Sequence, residues 1–407
     1  MAGPFGKTAL PEVKKEIAAV GRRNFERRVP GSKSRARRSI VSSREERHVT
    51  TNTSMTSVIQ KTSAIQTWSR RFFMAAVGSL AISAAAGMPA FAQDAEWQKV
   101  IDAGKKEGSL VLYTALVGQP STKQIAEAFT KQYGISVEVL EARASEIRER
   151  VRVEQAAGRF AADVMFTSEG QTMLYDKEDK SVDPLPVTPN SQKIGDKFKL
   201  KVPMASVMTI PYGIMINTGL VKPADEPKSW KDIADPKWQG KILSDDPRAI
   251  GAGYLWFFST YDKIGEDYVK KVASQKLVFT RDQRESQRRT ARGEYSIYMP
   301  VIMTDFSDLK GLPVKFIIPE EGVPYVLYGN VMLKKAPHPN AAKLYLDFMQ
   351  GPVVQKIYAG LGYGPVLGGM TEGLPADVKA ISEAKLYGTT DTTRQNEMLA
   401  KSKDIFK

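Results

Sequence analysis

Three places in the chain put small or hydroxylated residues just ahead of a helical pattern: Ser145-Glu146, Thr167-Ser168 and Ala249-Ile250-Gly251-Ala252-Gly253. The first turn of a helix carries N–H groups with no intrahelical acceptor, and the helix dipole adds positive potential there. Such junctions suit a carboxylate or a phosphate, and Gly251 and Gly253 would let backbone approach it closely. The competing reading of each junction is ordinary capping by a hydroxyl. Arg248 precedes the glycine loop, and Arg143 stands two residues before Ser145. A guanidinium at either place can clamp an oxyanion through two parallel N–H bonds. For Arg248 the alternative is an ion pair with Asp245 or Asp246. Tyr212, Tyr298, Tyr325 and Tyr328 fall near expected strand ends, where a ring stacks on a solute, donates its hydroxyl, or packs in the core. Glu320, in Pro319-Glu320-Glu321-Gly322, either accepts from a ligand amine or faces water. Arg281, Arg284, Arg288 and Arg292 recur at helical spacing and read as a solvated face paired with Asp282 and Glu285. His338, set between Pro337 and Pro339, reads as an exposed surface residue.

Composition removes several classes of chemistry. The 407 residues include no cysteine and two histidines, His48 and His338. Disulfides, thiolate metal sites, cysteine nucleophiles and a lipidated cysteine are excluded, as is a histidine-rich metal centre. No metal and no cofactor is expected. The net charge of +14 is unevenly placed: residues 1–92 hold 16 Lys+Arg against 5 Glu, which leaves +3 for residues 93–407. The larger part is nearly balanced, so nucleic acid is not an expected partner.

The basic segment has its own logic. Residues 55–92 contain Ser69-Arg70-Arg71-Phe72-Phe73-Met74, then an Ala- and Gly-rich apolar stretch, then Pro89 and Ala90-Phe91-Ala92. This is the layout of a cleavable export signal, with a twin-arginine-like start. Residues 1–54, rich in Arg and Ser, read as a disordered basic segment, either an over-long gene start with Met55 as initiator or a basic arm. The working protein is then 93–407, free in a periplasm and expected to be a monomer.

The elements that must position the candidates follow. Helical and strand patterns alternate: a helix over 96–106, a strand over 110–114, a helix over 121–133, a strand over 135–140, a helix over 145–157 and a strand over 162–167. That order predicts a parallel sheet with helices on both faces. Ligands in such sheets sit beyond the carboxyl ends of strands, which brings Thr114, Ala115, Arg143, Ser145, Thr167 and Ser168 together. After a Pro-rich stretch, the strand 209–217 enters a second α/β series, with a helix after Arg248, strands over 277–280, 295–299, 314–318 and 325–334, and helices over 340–349 and 353–360. The expected organisation is α/β with two lobes around a ligand cleft: 93–208 as lobe 1, 209–328 as lobe 2, and 329–407 returning to lobe 1.

The segment Trp230-Lys231-Asp232-Ile233-Ala234-Asp235-Pro236-Lys237-Trp238-Gln239-Gly240-Lys241-Ile242 resembles the S-W-x-D-L-x-D-P-K-W-K-G-K-I segment of bacterial extracellular solute-binding proteins. Three other stretches agree: Ala156 to Arg159 with Asp163-Val164, Ala291 to Tyr295, and Lys335 to Lys343. The likeness is to the ferric-ion-binding-like branch of the type II periplasmic binding proteins and spans 93–407. It implies two lobes, a hinge of crossing strands, and delivery of a small-molecule ligand to an inner-membrane ABC permease with its ATPase. Ferric-binding members hold iron with a histidine, a glutamate and a tyrosine pair. Those positions fall near Leu116 or Val117, at Ser168 (with Glu169 one residue on) and at Met303-Thr304, none of which matches. Ferric iron requires anionic oxygen donors, which Met-Thr does not supply. The leading expectation is therefore a receptor for a small organic or phosphorus-containing anion. Ferric iron or a ferric chelate is the alternative, and cationic solutes remain open. An enzyme is not expected. A periplasmic hydrolase would need a nucleophile elbow that the chain lacks, and a transcriptional regulator would need a helix-turn-helix pattern.

Overall fold

The computed structural model describes the backbone of residues 88–407 and the side chains of residues 95–407. The basic segment and nearly all of the export signal lie outside the described residues. The elements, in chain order, are α1 (Met88–Glu107), β1 (Ser109–Thr114), α2 (Pro120–Tyr133), β2 (Ser136–Glu141), α3 (Ala144–Ala156), β3 (Val164–Ser168), α4 (Glu169–Lys177) and β4 (Ala205–Asn217). Then come β5 (Ile242–Asp245), α5 (Ala252–Lys263), α6 (Glu266–Ala273), β6 (Val278–Thr280), α7 (Gln283–Ala291), β7 (Ile297–Ile302), β8 (Val314–Ile317) and β9 (Val323–Met332). The chain ends with α8 (Pro339–Met349), α9 (Pro352–Gly360), β10 (Gly364–Pro365), α10 (Ala376–Ser382), β11 (Leu386–Gly388) and α11 (Gln395–Ile405).

Local chemistry explains the boundaries. α2 starts at Pro120, whose missing N–H is not needed in a first turn, and buries Ile125, Ala126 and Phe129 on one face. It ends where Gly134 takes a φ of 73°, a left-handed conformation in which a Cβ would be strained. In β1 the side chains alternate. Leu110 and Leu112 join a core with Phe129, Tyr345 and Tyr358, while Tyr113 joins the opposite one with Ile147, Val151 and Tyr175. β3 does the same with Val164 and Phe166 on one side and Met165 on the other. The sheet is thus covered on both faces, and its strands read as continuous apolar runs.

The sheet order is β2-β1-β3-β9-β4-β7-β5-β6. β1 pairs in parallel with β2 and β3, and β5 in parallel with β6 and β7. The two parallel groups are joined through antiparallel β9 and β4. All thirteen residues of β4 are buried. From Ala205 to Pro211 it pairs with β9, and from Tyr212 onward with β7 and then β8. Tyr212 therefore stands where one strand changes from one lobe's sheet to the other's.

The return of the chain is split between lobes. α8 and α9 pack on the first core through Leu344, Tyr345, Val354 and Tyr358. α11 goes instead to the second, where Met398 and Phe406 join Trp256, Phe257 and Tyr268. The apolar face of α11 thus packs on the aromatic cluster of α5 rather than on the core that α8 and α9 cover.

His338 is not a free surface residue. Its Nδ1 lies 2.9 Å from Asp163 Oδ2, its Nε2 3.0 Å from Ser109 Oγ, and its backbone N–H donates to Asp163 Oδ1 at 2.6 Å. Asp163 also accepts from Val111 N–H at 2.7 Å. The trio has the order of a hydrolytic relay, but it pins the start of α8 to the amino end of β1, away from the carboxyl ends where ligands meet such sheets.

Candidate functional site

A cavity of about 530 Å³ opens where the two sheets meet. Lobe 1 contributes Ser168, Glu169, Gly170 and Gln171 from the start of α4. Lobe 2 contributes Ile250 to Ala252, Tyr254 and Leu255 at the start of α5, together with Gln283. Tyr212 from β4 and Tyr328 from β9 form the floor, and Thr389, Thr390, Thr392, Thr393, Gln395 and Asn396 from the C-terminal crossing complete the wall. The size suits a small polar solute.

Tyr212 is 9% exposed, and among the described residues no group hydrogen-bonds its hydroxyl. Burial, together with the nearby Tyr328 and the charges of Asp245 and Asp305, pushes its pKa up, so it faces the cavity as a neutral phenol. Burial raises the pKa of Asp305 as well, although Gln287 donates to its Oδ2 at 2.7 Å. At the rim, burial pushes Tyr254 up to about 12. The charged residues of the wall are Glu169 and Glu178. Glu178 is paired with Arg148 at 2.6 Å. Glu169 receives no hydrogen bond or ion pair from the described residues, and burial followed by the charge of Asp391 raises its pKa. No Lys or Arg belongs to the wall. Three arginines of the α7 region, Arg281, Arg284 and Arg288, form no ion pair with any described residue, whereas Arg289 and Arg292 are held by Glu285 and Glu294. Arg281 leans over the lip, its Nη2 3.5 Å from the carbonyl of Ile250.

Of the residues singled out from sequence, Ser168, Tyr212, Gly251 and Tyr328 line this cavity, with Ile250 and Ala252 of the glycine loop. Thr167 lies beside it, buried and paired with Gly329, and Tyr325 is close enough to Glu169 to feel its charge. The others are engaged elsewhere. Arg248 grips Asp246 through Nε at 2.8 Å and Nη2 at 3.0 Å, with its guanidinium over the ring of Phe279, which is the ion-pair reading of that residue. Burial alone would raise the Asp246 pKa, but the bonds from Arg248 hold it below the usual carboxylate range. The N–H of Gly253 donates to Asp245 Oδ2 at 2.7 Å, so the glycine loop turns inward onto its own strand. A Cβ on Gly253 would meet the Asp245 carbonyl oxygen at 2.2 Å, which is why glycine stands there. Thr114 caps its own loop by accepting from Leu116 N–H at 3.2 Å, and Ala115 donates to the Phe166 carbonyl. The N–H of Arg143 donates to Glu146 Oε2 at 3.1 Å, closing the start of α3, where Ser145 is exposed. Tyr298 is fully buried on β7 against Leu243 and Met215. Glu320 is exposed on its turn, while Glu321 accepts from Ser229 Oγ at 2.5 Å and Trp230 N–H at 3.1 Å.

Sequence reasoning missed the C-terminal wall. Its signal was the polar run Gly388-Thr389-Thr390-Asp391-Thr392-Thr393, which has no apolar period and stands between two packed elements. It also missed Tyr254 and Gln283, which face the cavity from first turns already recognised as helical.

A sheet shared by two lobes through crossing strands, with a polar cavity at the crossing, defines a two-lobed binding protein. The solved structures agree on the fold. The iron- and citrate-bound protein of Trichodesmium (IdiA, FutA) is 19% identical, with a TM-score of 0.62 over 73% of this chain and 99% of that one. AfuA of Actinobacillus pleuropneumoniae with fructose-6-phosphate is 21% identical, with a TM-score of 0.54 over 74% and 98%. An uncharacterized protein of Haemophilus influenzae is 27% identical over 261 residues, 60% of this chain and 72% of that protein. Residues 124–385 match the family of bacterial extracellular solute-binding proteins, and the chain belongs to it. It is the periplasmic solute-binding component of an ABC transporter, in a family of binding proteins rather than enzymes. No described helix is long and apolar enough to cross a membrane.

Proposed function

We propose that the protein captures a small, oxygen-rich organic or phosphorus-containing anion in the cleft and presents it, lobes closed, to a membrane permease. The observation that carries this reading is a cavity built from both lobes, with the neutral Tyr212 hydroxyl free at its floor and the Arg281 guanidinium, held by no ion pair among the described residues, over its lobe 2 lip. In closing, Arg281 of lobe 2 and the Ser168 hydroxyl of lobe 1 approach the ligand from opposite sides, so a ligand that touches both favours the closed state. Ser168, Tyr212, Gly251 and Tyr328, with the threonines of the C-terminal crossing, supply hydroxyl and amide partners for the ligand's oxygens. The lobe boundaries lie in β4 and β9, with a third crossing before α11. Export by the twin-arginine-like leader, action as a monomer and the absence of catalysis belong to the same reading.

A second reading is iron. Tyr212, Tyr328 and Glu169 are oxygen donors around one space, and iron(III) with a chelating carboxylate would meet them. A thermal-shift panel of carboxylates, phosphonates, sugar phosphates and ferric citrate separates the two. A ligand at ~100 times its dissociation constant stabilises by about 2.7 kcal/mol, which raises the melting temperature by several degrees. The anion reading expects a metal-free member to do so, with the shift reduced in the Arg281→Ala variant. A panel in which ferric species alone act contradicts it.

A further inference from the structure

We propose that the solute is zwitterionic: opposite its anionic group it carries an ammonium, and Glu169 is the carboxylate that receives it. This rests on the anion reading above and adds the ligand's second charge.

The charge of the cavity wall is negative and lies on lobe 1. On lobe 1, Glu169 is the first residue of α4 and faces the space with no donor among the described residues. Asp391, from the C-terminal crossing, is close enough to add its charge to the same corner. Glu178, the other carboxylate of that wall, already has a donor in Arg148, which it shares with Asp179. On lobe 2, the lip carries Arg281 over the Ile250 carbonyl, without an ion pair among the described residues though near enough to Asp245 and Asp246 for its charge to oppose the upward push of burial on their pKa. Between them Tyr212 stands nine-tenths buried with its hydroxyl unpartnered, marking the floor of a built site.

Glu169 is half-buried, and a carboxylate partly withdrawn from water is ordinarily supplied with a donor. The Arg148 and Arg248 forks show how this protein satisfies carboxylates that have only structural roles. Glu169 is left open toward the cleft. A simple anion would enter beside an uncompensated negative charge and be repelled at that end. A molecule with an ammonium there replaces the repulsion with a charge-assisted hydrogen bond and satisfies both ends at once.

The test is titration calorimetry on the full chain with matched probes. 4-Aminobutyrate is compared with pentanoate, and 3-aminopropylphosphonate with butylphosphonate; each pair differs by an ammonium in place of a methyl. Butylamine serves as the ammonium without the acid. The inference expects the amino acid of each pair to bind at least about tenfold tighter, and Glu169→Gln to erase that ratio. Equal binding within pairs overturns it. So does a ratio that survives Glu169→Gln while both members weaken, since Glu169 would then be a latch to Arg281. Butylamine binding as tightly as the amino acids refutes the anion reading while leaving the ammonium site standing. Should no probe bind, the ligand-free melting temperature decides. Glu169→Gln, which loses only the favourable place of a carboxylate in the first turn of α4, must leave it within about 2 °C, and a larger fall would mean that Glu169 has a partner in the protein and the inference fails.

Discussion

Tyr212 illustrates how a residue can be recognised by type while its importance comes from place. As one tyrosine among several near strand ends, it had nothing in its spacing to separate it from Tyr298. The two part because β4 changes partners at Tyr212, which opens a space before its hydroxyl, whereas Tyr298 on β7 is sealed under Leu243 and Met215. Removing the hydroxyl should therefore harm binding rather than folding. Tyr212→Phe is expected to weaken the ligand about tenfold or more, as loss of a hydrogen bond to a charged group does, while denaturant stability is unchanged or slightly improved. Titration and urea unfolding of the same preparation check both halves. Arg248 is the opposite case. Its guanidinium looks like a ligand clamp in the sequence, but Asp246, two residues back, already occupies both prongs of the fork.

At the scale of elements, most of the parallel order was legible. Alternating apolar runs and amphipathic stretches follow directly from a sheet covered on both faces, and β1, α2, β2, α3 and β3 lie within a few residues of their expected places. Less legible was how helix starts would be used. Spacing identifies a start but not its acceptor, and at α5 the acceptor is Asp245, eight residues before Gly253 and at the end of a four-residue strand with little period to detect. That closure requires glycine. Gly253→Ala would drive a Cβ into the Asp245 carbonyl oxygen, so the start of α5 must shift. We expect a loss of about 1–3 kcal/mol or more in urea unfolding, together with weaker ligand binding because Gly251 and Ile250 move with the loop. Unchanged stability would mean that the loop does not hold this geometry.

At the scale of the molecule, two lobes could be anticipated from the two α/β series, and the family likeness supplied the hinge. The third crossing could not. The run between β11 and α11 is short, polar and without period, and its role as a wall appears only once Met398 and Phe406 are seen to anchor α11 on lobe 2. This crossing ties the lobes at a third point beside β4 and β9, so closure must bend all three together around the cavity. The account's central claim is that this closure encloses one small anionic molecule. Native mass spectrometry of the protein isolated from the periplasm that makes it tests the claim most directly. A population heavier by one small organic or phosphorus-containing anion is expected, and it should be markedly reduced in the Tyr212→Phe variant. A mass increment equal to a lone iron ion, with no organic component in any fraction, would contradict it.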